Sequence, residues 1–117
     1  MALWNAIRSL EEAQLRGNEM QILFDLLGVA SALAQLGADE DALEVAAMGE
    51  QQVAELGIPG ASAVHLLGQD QHLGARERLD ATKVRESEAR GQAIPAGQRV
   101  TRACELARAR TEIAGAA

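Results

Sequence analysis

Two histidines, one cysteine and two runs of adjacent carboxylates are the residues of this 117-residue chain whose types could do chemistry. His65 and His72 stand seven apart. On a helix they would share a face, yet the ~1.5 Å rise per residue separates them by about 10 Å, so one metal ion cannot take both. No CxxC, no HExxH and no histidine pair at four is present, and no metal site is expected. Cys104 lies on an apolar stripe beside Glu105 and far from either histidine. It reads as a small buried hydrophobe rather than a nucleophile. Glu11-Glu12 reads as a solvated face, and Asp39-Glu40-Asp41 as the acidic opening of a helix, where the macrodipole favours negative charge. No nucleophile, base and orienting group can be assembled from these positions, so the chain reads as a non-enzyme without cofactor or metal.

The elements that would position these residues are helices. Ala, Leu, Glu, Gln and Arg dominate a composition that is 48% hydrophobic but has one Trp, one Phe and no Tyr. That balance favours helix over sheet and requires a core of aliphatics at close helix contacts. A length of 117 residues suits one domain. The formal charge of -6 argues against direct nucleic-acid binding, which needs a clustered basic surface. The charge is unevenly spread. Residues 1 to 75 carry eleven acidic and two basic side chains, a net of -9, while residues 76 to 117 carry nine basic and six acidic, a net of +3. The two halves can attract each other or a neighbouring copy. No apolar run approaches the ~20 residues of a membrane span. The lone cysteine cannot form an intrachain disulfide, no secretory leader pattern opens the chain, and a cytoplasmic setting is expected.

Apolar positions at Leu3, Ala6, Ile7, Leu10 and Ala13 predict an amphipathic helix over residues 2 to 16, broken by Gly17-Asn18. Residues 19 to 36 form a second helix. It is apolar around most of its circumference, with Gln21, Asp25, Gly28 and Gln35 as a narrow polar stripe, and is therefore expected to be the central, most buried element. Gly37-Ala38 turns the chain, Asp39 can cap a third helix, and its stripe of Ala42, Ala46, Gly49, Val53 and Leu56 allows close approach to a neighbour. Gly57-Ile58-Pro59-Gly60 ends it. Residues 61 to 79 are expected to be helical with Val64, Leu67 and Leu73 inward, and 81 to 91 to be a polar helix burying Val84 and Ala89. Gly91 is placed to stop that helix, and Pro95 to start a last one with Val100, Ala103, Cys104 and Ala107 on its face. Arg108 and Arg110 suit its C-terminal end, and residues 114 to 117 are expected to fray.

Helix pairs joined by short turns, with small residues at the crossing, are the unit of tetratricopeptide arrays, whose period is 34 residues. Residues 26 to 58 fit one such unit, with Leu26, Ala30 and Leu33 packing against Ala42, Ala46 and Gly49. Further sequence extends the likeness: Ala42-Leu-Glu-Val-Ala-Ala-Met-Gly-Glu-Gln-Gln-Val-Ala-Glu-Leu-Gly57, then Pro59, then Val84-Arg-Glu-Ser-Glu-Ala-Arg-Gly-Gln-Ala-Ile94. Over roughly residues 20 to 107 the chain resembles the tail of the helical-repeat region of large bacterial signalling proteins. In that family an ATPase module precedes the repeats, and either an adenylate-cyclase-like domain lies at the N-terminus or a LuxR-type DNA-binding domain follows. Val84 and Glu88 stand where that pattern has aromatics, and Pro95-Ala-Gly replaces its usual Ser-Leu-Glu helix start.

These readings predict an all-α domain over residues 1 to 113. Antiparallel helix pairs would stack as a tetratricopeptide-like right-handed superhelix of five or six helices, the C-terminal ones spanning 61 to 113. The resemblance implies a regulatory, protein-interacting segment of a larger regulator, whose partners are the other domains of that protein, another protein or a second copy. Trp4 is the candidate anchor of such an interface, unless it folds over its own hairpin. The alternative is a ligand-sensing module that binds a peptide or small molecule along Gln21, Asp25 and Gln35.

Overall fold

The computed structural model describes residues 2–58 and 72–116. They form six α-helices: α1 (Ala2–Arg16), α2 (Glu19–Gln35), α3 (Asp39–Leu56), α4 (His72–Arg78), α5 (Ala81–Ala93) and α6 (Arg99–Ala116), the last preceded by a 3-10 turn at Ala96–Gln98. No strand occurs among the described residues, and the fold is all-α. Val64 and Leu67, expected to face inward, and His65 lie outside the described residues, as do the side chains of His72 and Leu73.

The turns that shape the first half fall at Gly17, Gly37 and Gly57, spaced by 20, each with φ between 66° and 80°. That left-handed conformation is one that L side chains rarely adopt, and at a helix end it lets the chain reverse. The helix pair α2–α3 therefore occupies Glu19–Leu56, starting two turns before the unit expected at residue 26. Asn18 caps α2, its side chain accepting from the Gln21 amide at 3.1 Å. The cap of α3 is Ala38, without a side-chain bond, and not Asp39. Asp39 instead accepts from Arg78 of α4 at 2.6 and 3.0 Å, while Arg78 also donates to the Ala34 carbonyl at 3.0 Å. One arginine thus adds a second donor to the Ala34 carbonyl, which already accepts from the Gly37 amide, and binds the start of α3 to α4.

The central helix is α3, not α2. Every residue from Ala42 to Gly49 is buried, because α2, α4, α5 and α6 approach α3 from several sides. Its small residues permit this. A Cβ on Gly49 would lie 3.1 Å from Leu27 Cδ2, and one on Gly91 of α5 would lie 2.1 Å from the Glu44 carbonyl oxygen. Gly91 therefore does not stop α5, which continues to Ala93; it is the point where the α5 backbone meets that of α3. The polar helix α5 buries Val84, Ser87 and Gly91, whereas Ala89, expected inside, is exposed. Ser87 is acceptable there because its hydroxyl accepts from Arg90 at 3.1 Å.

Leu26, Ala30, Leu33, Ala42 and Ala46 all lie in the main apolar core with Leu3, Ile7 and Leu10 of α1 and Val100, Ala103, Cys104 and Ala107 of α6. The last helix lies against the first. In an open solenoid each repeat meets only its neighbours. Here α6 closes the chain back on α1, and the radius of gyration of 13.2 Å is the ~13 Å of a globular chain of this length. The helix of α6 also runs to Ala116, beyond residue 113, consistent with the strong helix propensity of alanine.

Candidate interaction surface

Among the described residues, Cys104, Asp39, Asp41 and Glu11 are held in structural roles. Cys104 is buried on α6, where burial, and secondarily the negative charge of Glu11, push its thiol pKa up. A thiolate is therefore disfavoured. Asp39 is bound to Arg78, and Asp41 accepts from Arg110 at 3.1 Å. Glu11 accepts from Arg108 at 2.8 Å, while Glu12 is exposed. Among the described residues no group of three His, Cys, Asp or Glu side chains could hold a metal ion.

The uneven charge of the two halves is resolved inside the molecule. Six arginines from the second half reach carboxylates of the first: Arg78 to Asp39, Arg90 and Arg102 to Glu44, Arg99 to Glu55, Arg108 to Glu11 and Arg110 to Asp41. Arg108 and Arg110 thus tie α6 to α1 and α3 rather than serving its helix end. Two of these sites are deeply placed. Glu44, only 1% exposed, accepts from Arg102 Nε at 2.7 Å and from Arg90 Nε at 3.1 Å. Arg99, 3% exposed, donates to Gln52 Oε1 at 2.7 Å and to both oxygens of Glu55. That hydrogen bonding holds the Glu55 carboxyl below its ordinary pKa. Gln52 in turn donates to the Glu19 carbonyl at 3.2 Å, so Arg99 is linked to the start of α2. The Arg99 Nε is buried without a hydrogen-bond partner among the described atoms. A cleft of about 350 Å³ opens beside this network, lined by Gln14, Glu19, Gln52, Glu55 and Gly97 among others.

A further carboxylate sits in an unfavourable place. Burial, and then the nearby charge of Glu88, raise the pKa of Glu50 against the smaller opposing pull of Arg76. A carboxyl whose folded pKa exceeds its unfolded one destabilises the fold once both states are ionised, and the penalty fades as pH falls through the folded value. Glu50→Gln is therefore expected to raise Tm at pH 7. The difference from the parent should vanish by about pH 4, near the ordinary glutamate pKa. Parallel thermal melts of the two proteins at both pH values check this; a gain that persists unchanged in acid counts against it.

Beside these charged sites, a further anomaly is apolar. Among the described residues, the exposed large hydrophobic side chains are Trp4 (50%), Leu15 (89%), Met20 (43%), Phe24 (45%) and Leu36 (58%). All belong to α1, α2 or the residue capping α2. Between the two helices runs a polar seam in which Asp25 accepts from Ser9 at 2.7 Å and from Gln21 at 3.0 Å. The structure thus brings Gln21 and Asp25 together. Gln35 is exposed near the other end of α2, ten residues or roughly 15 Å along the axis from Asp25. Trp4 is half exposed, on the outer face of α1.

Known protein families, curated proteins and solved structures yield no match to this chain. The sequence left Trp4 as either an interface anchor or a cover for its own hairpin, and a helix apolar on nearly all sides offers no cue that Met20 and Phe24 stay uncovered. The i, i+4 spacing of Met20 and Phe24, continued by Gly28, was the available signal. Glu44, Gln52 and Arg99 carried none, since isolated polar residues on amphipathic helices normally face water.

Proposed function

We propose that this chain is a non-catalytic, tetratricopeptide-like interaction segment with a regulatory role, part of a larger bacterial signalling or transcriptional regulator. The observation that carries the reading is that, among the described residues, the exposed Trp, Phe, Leu and Met side chains all lie on the α1–α2 hairpin or the residue capping it. Aromatic and Met side chains are enriched in interface cores, and large apolar side chains left exposed on a small domain mark candidate contact sites. The paired arginines of the second half support the same reading from the other side: they are used to hold the bundle shut rather than to form a basic surface. Antiparallel pairing of α1 with α2 and of α2 with α3 is the feature such a domain would share with a right-handed repeat stack; the return of α6 to α1 would cap it.

Hydroxyl-radical footprinting tests the proposal at side-chain level. Oxidation of Trp4, Met20 and Phe24 is measured in the chain alone and in the longer protein encoded by its complete reading frame. A severalfold fall in all three, with Leu106 and Val100 unchanged, is the expected result. Equal oxidation in both proteins would sink the proposal. The ligand-sensing alternative has less support, because both carboxylate oxygens of Asp25 are already taken and Gln35 lies apart from it.

A further inference from the structure

We infer that the outer face of α1 is a self-complementary dimer surface, occupied by α1 of a second copy running antiparallel. The inference rests on the interaction reading above and names its partner. At about 100° per residue, Trp4, Arg8, Glu12 and Leu15 fall within roughly 80° of one another on the helix. All four are exposed, and Arg8, Glu12 and Leu15 line one shallow groove with Asn5 and Ser9. The inward side of α1 is separately satisfied by Leu3, Ile7, Leu10 and Ala13, which are buried.

The order along this face is apolar, basic, acidic, apolar. A two-fold interface must place residue i against j and j against i at once. An antiparallel α1 pair meets that condition with Trp4 against Leu15 of the other copy and Arg8 against its Glu12. The centre of symmetry implied by the first pairing lies midway between residues 9 and 10, and that of the second lies at residue 10. They agree within about half a residue, or roughly 0.75 Å along the axis. A parallel pairing would instead set Arg8 against Arg8 and Glu12 against Glu12.

Two further observations favour a second copy. Neither Arg8 nor Glu12 has an ion-pair partner among the described residues, unlike Glu11, which is held by Arg108. In addition, α1 carries two arginines and two glutamates and is neutral within a chain of net charge -6. It is thus a face where two copies meet without net repulsion, whereas α3 with its three acidic residues in the first turn is not. A single pair of four-turn helices corresponds to the small, transient class of interface.

The test is sedimentation of the full chain from micromolar to millimolar concentration, with Arg8→Glu and Glu12→Arg as variants. Both positions are exposed, and melting curves verify that the variants stay folded. The parent is expected to dimerise, and each reversal to weaken association at least about tenfold, since every copy then meets like charges twice. An equimolar mixture of the two variants is expected to recover dimer. One copy then carries acidic side chains at both positions 8 and 12 and the other basic ones, so both cross pairs are of opposite sign. A parent that stays monomeric overturns the inference, as does a dimer indifferent to both reversals or a mixture that fails to recover. A monomeric parent whose Trp4 and Phe24 are still shielded in the longer protein would remove the dimer while leaving the interaction function standing.

Discussion

Gly91→Ala is expected to destabilise the fold by about 3 kcal/mol or more, lowering Tm by roughly 10 °C, although alanine is the better helix former by about 1 kcal/mol. The added Cβ would stand 2.1 Å from the Glu44 carbonyl oxygen and 2.7 Å from Ala47 Cβ. Neither obstacle is the far end of a flexible side chain. Relief requires α3 and α5 to separate along their whole contact, which weakens the burial of Val84 and Ser87 and lengthens the Arg90–Glu44 bond. Gly28→Ala is the internal control. It lies in a helix, is exposed, and a Cβ there meets nothing within 4 Å. Its substitution should add about 0.5–1 kcal/mol through reduced freedom of the unfolded chain and better helix propensity. Thermal and urea denaturation of the two variants should therefore move in opposite directions. A Gly91→Ala protein as stable as the parent would show that the α3–α5 crossing is not as close as described.

The second large effect concerns Glu44 and depends on which side of the ion pair is removed. The carboxylate is almost wholly out of water, whereas Arg90 and Arg102 keep side-chain exposures of 45% and 37%. Substituting both arginines by methionine strands a buried negative charge and is expected to cost about 3–5 kcal/mol. Glu44→Met removes the buried charge itself, keeps a side chain of similar length, and frees two arginines that already reach solvent. Its cost should be smaller, about 1–2 kcal/mol, because replacing a buried charge by a packed apolar group is often close to neutral. Urea denaturation of the three proteins measures the asymmetry. Equal losses for Glu44→Met and for the double arginine variant would contradict it and point to the hydrogen bonds, rather than the uncompensated charge, as the main contribution.

These two sites show where sequence reasoning stopped. Gly91 was legible as a helix-ending residue because glycine is common just past helix ends. Its actual use, a close backbone crossing, depends on Glu44, a partner far away in sequence that nothing in the local pattern specifies. Glu44 itself stands in a helix where a charged residue normally faces water. Only the convergence of α5 and α6 on α3, each bringing an arginine, makes its burial tolerable. The same holds for Gln52 and Arg99.

The sequence by itself determined the helical character of the chain and the turns of its first half. Helix-forming composition, the stripe of Leu3, Ile7 and Leu10, and the turns at Gly17, Gly37 and Gly57 follow from short-range propensity and sterics, which act within a few residues. It also singled out Trp4 as either an interface anchor or a cover for its own hairpin. The tertiary structure alone decided that α3 rather than α2 is central, that α6 closes on α1, and that Met20 and Phe24 are left outside. The physical reason is that periodicity shows which face of a helix is apolar but not which neighbour covers it. An apolar stripe on α2 and a small-residue stripe on α3 compete for the same partners. Alanines and glycines allow close approach from several sides, so α3 takes the interior and the bulkier Met20 and Phe24 of α2 remain at the surface.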